Sequence, residues 1–418
     1  MVIGLMMVFL PALTTGGLAA EAKLTHFSYG SHGSSWHEYL NVMAKAFQEE
    51  TGITVEIEAG PTGSGYATKL ITMVAGGVVP DVTDFNPNVG ADLVYQGFFA
   101  DLRPFINRDN LPLKDIPPMS IEGFQVPDGS IWGLPVSVYP VITFFNVDMF
   151  AAAGLHNPVE LGENWTWDTM LQSAKRLTQD TNGDGTIDQW GTDRVTSRYE
   201  MQVHQAGGQL YDRIVYPTKS QWNTPQVVAA FQFLQTFQLE KLISASGGFW
   251  SGKAAIDVVD GPGIIGTYLQ NVDFSWNVAL QPKGPANRAL RVNPDGFQIM
   301  AQSNNKDLAW QWIRFLVNSA ERQTTMARIT GRFPSLRQAM FEYRNLGFTK
   351  IASNWTAIVE ASFDPNGYAA YVIPYSAEIN PVINPVLNQM WAGNISAQMA
   401  CEQIHEAVSI ILAEKFGN

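Results

Sequence analysis

A single cysteine, Cys401, stands among the 418 residues, so neither an intrachain disulfide nor a cysteine-built zinc cluster can form, and a small buried thiol in the last helix is its expected role. Charge is also scarce: Asp, Glu, Lys and Arg make up 15% of the chain, against about 25% in an average soluble protein. The charge that is present leans acidic, with a net of -12, which repels phosphate backbones and argues against nucleic acid as a partner. No repeat, heptad run or low-complexity tract occurs, which excludes solenoids and coiled coils. The longest apolar run, near the start, falls short of the roughly 20 residues that a membrane-spanning helix needs.

Aromatics are plentiful, with 12 Trp, 13 Tyr and 23 Phe. Beside so few charges they point to recognition through ring faces and neutral hydrogen bonds. The length exceeds one ordinary domain, so two are expected.

The first residues, Val2 to Leu10, are apolar; Pro11 and a run of small residues to Ala22 follow. This is the pattern of a secretory leader, with cleavage expected after Ala20 or Ala22 and residues 1–22 removed. The usual positive start is missing, since no Lys or Arg precedes Lys23, and no cysteine follows the apolar run. An exported protein, periplasmic or extracellular and without a lipid anchor, is the expectation.

Beyond the leader, Leu24 to Tyr29 reads as a strand, Gly30 to Ser35 as a loop, and Trp36, Leu40, Met43 and Phe47 recur at helical spacing before Gly52. Ile53 to Ile57 alternates as the next strand, a helix around Leu70 to Val74 follows, and Asp81 to Phe85 resumes extended structure. Alternation of this kind implies parallel sheet in an α/β fold. Strands at Ile131–Val136 and Val141–Phe145 carry the chain to a second region; helices are expected at Trp167–Leu177 behind Thr166, at Pro225–Leu239 behind Thr224, at Leu308–Val317 and at Ala397–Glu414.

The pieces Ala46 to Val55, Tyr66 to Leu70, Gly76 to Val82, Gly133-Leu134-Pro135, Asn146 to Phe150, Trp165 to Asp168, Gly252 to Ala255 and Gly331 to Ser335 occur in one order. In that order the chain resembles the family 1 extracellular solute-binding proteins of ABC importers, the group that includes maltose-binding protein, over nearly its whole mature length. The resemblance implies a two-lobed periplasmic-binding-protein fold of type II with a hinge and an interlobe ligand cleft. The lobes would be discontinuous: 23–138 with 293–337, and 139–292 with 338–418. It implies a carbohydrate ligand, mono- or oligosaccharide, handed to permease subunits by a monomer that does no covalent chemistry. A secreted carbohydrate-active enzyme, or a binder of a polyol, a sugar phosphate or a peptide, are the alternatives the residues leave open.

Sugars need aromatic platforms beside hydrogen-bonding groups. On the segments that the resemblance places at the cleft, the residues of interest are Ser31, His32 and Trp36 in the first loop; Ser64, Gly65 and Tyr66 after the second strand; and Phe85, Asn86 and Asn88 after the third. Tyr139 lies at the crossover, followed by Arg198, Tyr199, Trp250, Gly261, Arg332, Tyr371 and Tyr375, with Tyr368 beside the last two. Asn88 stands where the family has an acid, and Gly263 where it often has a Trp. Arg332 could clamp an acidic sugar group through both arms of its guanidinium.

Asp180, Asn182, Asp184, Thr186 and Asp188 place oxygens at the spacing of a calcium loop, with Gly185 at position 6, but Gly191 stands where a bidentate Glu belongs. A structural calcium ion is the only cofactor the sequence suggests. Gly247 to Ala254 falls short of a phosphate loop because Ala254 lacks the hydroxyl that would hold magnesium, and His37-Glu38 falls short of a zinc-protease helix because Asn41 replaces the second His.

Overall fold

The computed structural model describes residues 22–244, 247–347 and 352–417. The leader expected over 1–22 lies outside them except for Ala22. The strands are β1 (Lys23–Ser28), β2 (Thr54–Ala59), β3 (Val82–Phe85), β4 (Leu134–Pro140), β5 (Thr143–Asn146), β6 (Trp190–Asp193), β7 (Ile243–Ser244), β8 (Ala254–Asp257), β9 (Trp276–Ala279) and β10 (Val292–Ile299). They form two five-stranded sheets, ordered β2-β1-β3-β10-β4 and β7-β6-β8-β5-β9, so the chain adopts the expected two-lobed α/β architecture.

In the first sheet β1 runs parallel to β2 and β3; the helix Gly65–Ala75 connects β2 to β3, and the helix Ser34–Thr51 connects β1 to β2. That helix ends where Gly52 takes φ 73, a left-handed conformation that costs glycine little. Its inward stripe of Trp36, Leu40, Met43 and Phe47 is buried, and each such side chain contributes about 1.5–3 kcal/mol. In the second sheet β6 runs parallel to β7 and β8. The helix Trp167–Leu177 over it starts with a capping box, Thr166 Oγ1 accepting from the Thr169 amide. Cys401 is buried, as expected of a core thiol.

The chain passes between sheets where β4 ends at Pro140 and β5 begins at Thr143, and again between β9 and β10. A third passage follows the helix Ala320–Thr330, where Pro334 pairs with Ser137 and the Val138 amide donates to the Phe333 carbonyl at 3.0 Å. Val138, Ile142, Phe144, Leu290, Val292 and Phe333 pack together beneath these passages, in a cluster that continues to Phe249, Ile264 and Val278 of the second lobe, so the hinge shares that lobe's core. β10 lies between β3 and β4 and is antiparallel to both. Among the described residues no helix is long and apolar enough to cross a membrane.

Candidate ligand-binding site

Open α/β sheets bind ligands beyond the carboxyl ends of their parallel strands, and in both lobes those ends carry carboxylates. Asp84, near the end of β3, is fully buried and accepts from the Tyr29 amide at 2.8 Å and from Trp36 Nε1 at 3.0 Å. His26 Nε2 and His32 Nδ1 each lie 3.0 Å from it. Trp312 Nε1 donates to His26 Nδ1 at 3.2 Å, which leaves the proton of that ring on the nitrogen facing Asp84. Burial alone would raise the Asp84 carboxyl; the two imidazoles outweigh it and hold it far below the usual range.

His32 faces a second carboxylate as well, with Nε2 3.4 Å from Asp295 of β10. Burial pushes the imidazole down, but Asp295 and Asp84 on its two sides outweigh that and leave it raised. Asp295 is in turn held by the Arg332 guanidinium. Burial there favours the acid form, yet Arg332 and His32 bring its pKa to about 2. Arg332 also lies 5.0 Å from the centre of the Trp36 ring. The first loop is thereby bolted to the hinge.

Across the cleft, Arg194 sits just after β6 in a left-handed conformation, φ 46. It meets Asp260 at 2.5 Å, Asp193 at 3.3 Å and Asp257 at 3.4 Å, and lies over the Trp250 ring. Burial, then the nearby Asp260 charge, pushes the Asp257 carboxyl well up; burial also raises Asp193, against the pull of Arg194. Arg198 Nε donates to the Val259 carbonyl at 2.5 Å. Tyr139 stands between the two sets: burial first, then the Asp260 charge, lifts its hydroxyl to about 12 against the pull of Arg332 and Arg198.

Of the residues singled out in the sequence, His32, Tyr139, Arg198, Gly261 and Arg332 gather here, with Trp250 under Arg194 and stacked on Tyr268 at 4.6 Å. Asn88 Nδ2 donates to the Tyr371 carbonyl at 3.1 Å, and the Tyr375 amide to Asp92 at 3.0 Å, so these three join the lobes to one another. The Tyr371 hydroxyl is taken by the Leu210 amide and His204.

Several expectations are corrected. Trp36, Tyr66 and Phe85 are fully buried in the first lobe; Tyr66 stacks on Phe27 and donates its hydroxyl to the Phe27 carbonyl at 2.7 Å. None of the three offers a ring face. Tyr199 packs beside Trp222 and Phe231 in the second lobe. Ser31 Oγ accepts from the Gly63 amide at 2.9 Å, and Asn86 Oδ1 from the Val89 amide at 3.3 Å, so both serve their own loops. Ser64 and Gly65 are exposed at the start of the helix Gly65–Ala75. Arg332 is not a free clamp, because Asp295 already holds it.

The calcium-like loop is held by its own amides. Asp180 accepts from Gly183, Asp184 and Gly185, Asn182 from Asp184, Asp184 from Thr186, and Asp188 from the Thr181 amide and hydroxyl. Among the described residues no three His, Cys, Asp or Glu side chains converge as metal ligands. A Cβ at Gly191 would run into the backbone of Ala174, so position 12 cannot carry a glutamate.

The sequence reading passed over Arg291, Asn293 and Asp295, which lie on one face along β10 and its approach while Val292 and Pro294 point into the core. The signal was the alternation of polar and apolar residues, which marks a half-buried strand.

A family model described as bacterial extracellular solute-binding protein matches residues 42–340. An arabinooligosaccharide-binding protein of Bacillus subtilis is 21% identical over 395 residues, covering 88% of this chain and 84% of its own. Among solved structures, an ABC substrate-binding protein of Listeria monocytogenes in complex with cycloalternan superposes with a TM-score of 0.75 at 21% identity, over 95% of this chain and 99% of its own. A cyclic alpha-maltosyl-1,6-maltose binding protein of Arthrobacter globiformis gives a TM-score of 0.77 at 18% identity, over 94% and 100%. With the family match spanning most of the chain and both lobes in place, the chain belongs to the bacterial extracellular solute-binding proteins.

Proposed function

We propose that this chain is the binding component of an ABC importer for carbohydrate, working outside the cytoplasm. The observation that carries the reading is the position of Tyr139 on the hinge floor, within the field of Arg332 and Asp295 from one lobe and of Asp260 and Arg198 from the other. A hydroxyl-rich ligand lying there touches both lobes only when they are closed. It therefore shifts the lobes toward closure by its differential affinity. The closed shape is what permease subunits recognise, and opening against them releases the ligand unaltered. The names of the arabinooligosaccharide-binding and cyclic-maltosyl-maltose-binding relatives support the carbohydrate class.

Differential scanning fluorimetry against neutral sugars, polyols, sugar phosphates and peptides tests this directly. One saccharide class is expected to raise the melting temperature by the stabilisation RT ln(1 + [L]/Kd), and small-angle scattering with that sugar to show a smaller radius of gyration. Recovery of cleaved sugar by mass spectrometry would establish an enzyme instead. Stabilisation by peptides alone would remove the carbohydrate reading.

A further inference from the structure

Three polar groups on β10, its approach and the segment paired with it are buried and without a hydrogen-bond partner among the described residues: Arg291 Nε, Asn293 Oδ1 and the Tyr368 hydroxyl. Buried polar atoms are rarely left so. The strand register explains how they come together. Asn293 pairs with Tyr139 across the ladder between β10 and β4, and Arg291, two residues before Asn293, pairs with Tyr368. Partners in a ladder share a face, as do residues two apart on a strand, so all three side chains leave the hinge on the side where Tyr139 lies.

The surroundings hold them in place. Arg291 Nη1 meets Glu200 at 3.1 Å, which fixes the guanidinium in place. Burial pushes the Glu200 carboxyl up. His204 stacks on the Tyr368 ring with 3.8 Å between centroids and 18° between planes, and is itself fixed by the Tyr371 hydroxyl at 3.1 Å. Tyr368 is 5% exposed, so its hydroxyl has no ready access to bulk water.

From this geometry we infer that Arg291, Asn293 and Tyr368 form the recognition floor of the cleft and select an uncharged ligand whose hydroxyls both donate and accept. Arg291 Nε can only donate, Asn293 Oδ1 can only accept, and the phenol does either. Neighbouring hydroxyls of a neutral sugar satisfy all three at once. A carboxylate or phosphate only accepts: it would serve Arg291 but leave Asn293 Oδ1 unpaired. This deepens the carbohydrate reading by naming the charge class, and it rests on that reading.

The test titrates the mature protein with arabinotriose, maltotriose and mannotriose as neutral probes and with trigalacturonate as the acidic one. At least one neutral probe should raise the melting temperature and trigalacturonate should not. Tyr368→Phe and Asn293→Leu should each weaken that neutral probe by about tenfold or more. The ligand-free melting temperature should stay equal or rise, because each substitution removes a buried group that lacks a partner; a merely structural residue would show the opposite sign. Unchanged affinity in both variants overturns the assignment. Binding of trigalacturonate in place of the neutral sugars overturns it while leaving the carbohydrate reading intact, and no response to any of the four removes both.

Discussion

The phenol of Tyr139 fills the space that a side chain at Gly263 would need: a Cβ at 263 would run into its hydroxyl and ring, and Gly261 approaches the same ring as closely. A hinge residue thus takes the room that any side chain at 263 would need. The helix start at Gly263 and the hinge at Tyr139 are fitted to each other, and the cleft is shaped by both.

Gly263→Ala is therefore expected to destabilise the protein by about 1–3 kcal/mol through overpacking, because the backbone at 263 is not in the left-handed region and the cost is purely steric. Urea denaturation measures it. Adding Tyr139→Ala to Gly263→Ala should recover part of the loss. A Gly263→Ala protein as stable as its parent would show that Tyr139 is not held against the turn.

Arg332 and Tyr66 read in the sequence as ligand contacts, and the loss of a mere contact would weaken binding while sparing the fold. The structure predicts otherwise. Arg332→Ala leaves Asp295 buried with only His32 to balance it, a cost of about 3 kcal/mol, and Asp295→Asn in the same chain should return some of it. Tyr66→Ala empties a fully buried site and should cost about 3–5 kcal/mol. Lowered denaturation midpoints in both variants are the expected result; weakened ligand binding at unchanged midpoints would restore the earlier assignment.

Two histidines bend the pH dependence in opposite directions. His32 is raised above its ordinary 6.5 in the folded protein, so its stabilisation is fully present below pH 6.5 and is lost as pH rises through the folded value. Burial pushes His204 down to about 4, so the folded state binds fewer protons there and stability is lost as pH falls from 6.5 toward 4. Asp295, held at about 2, contributes above its ordinary value of 3.8 and loses that contribution only in stronger acid. Melting curves from pH 4 to pH 9 should show that His204→Phe flattens the loss between 6.5 and 4, whereas His32→Gln flattens the loss on the alkaline side. The reverse assignment of the two limbs would contradict the surroundings described for these rings.

The two sheets and the helix starts were legible because local signals agreed with the packing: Gly52 does end the first helix, and Thr166 does cap another. The helix Ser376–Trp391 was not legible. Pro381 and Pro385 lie inside it, and proline normally breaks a helix interior. Here both prolines are exposed, while Ile379, Ile383, Leu387 and Met390 supply the buried stripe. The site was only half readable for a related reason. An aromatic after a strand looks the same in sequence whether it faces a ligand or fills a core, and Tyr66 and Phe85 fill the core. Arg194, Asp295 and Glu200 acquire their roles from partners distant in the chain, which no local pattern carries.

The loop from Asp180 to Asp188 separates a motif from the function its spacing suggests. Its side-chain oxygens accept hydrogen bonds from the loop's own amides and from the Thr181 hydroxyl, so the turn keeps its shape without a cation. Position 12 is closed to a bidentate ligand by the contact of Gly191 with Ala174, and high calcium affinity depends on that ligand. Melting curves in EDTA and in millimolar calcium are therefore expected to coincide. Asp180→Ala should lower the midpoint equally in both, because it removes acceptors for the Gly183 and Gly185 amides rather than a metal ligand. A calcium-dependent rise in the parent that Asp180→Ala abolishes would show that these oxygens turn from the amides to an ion.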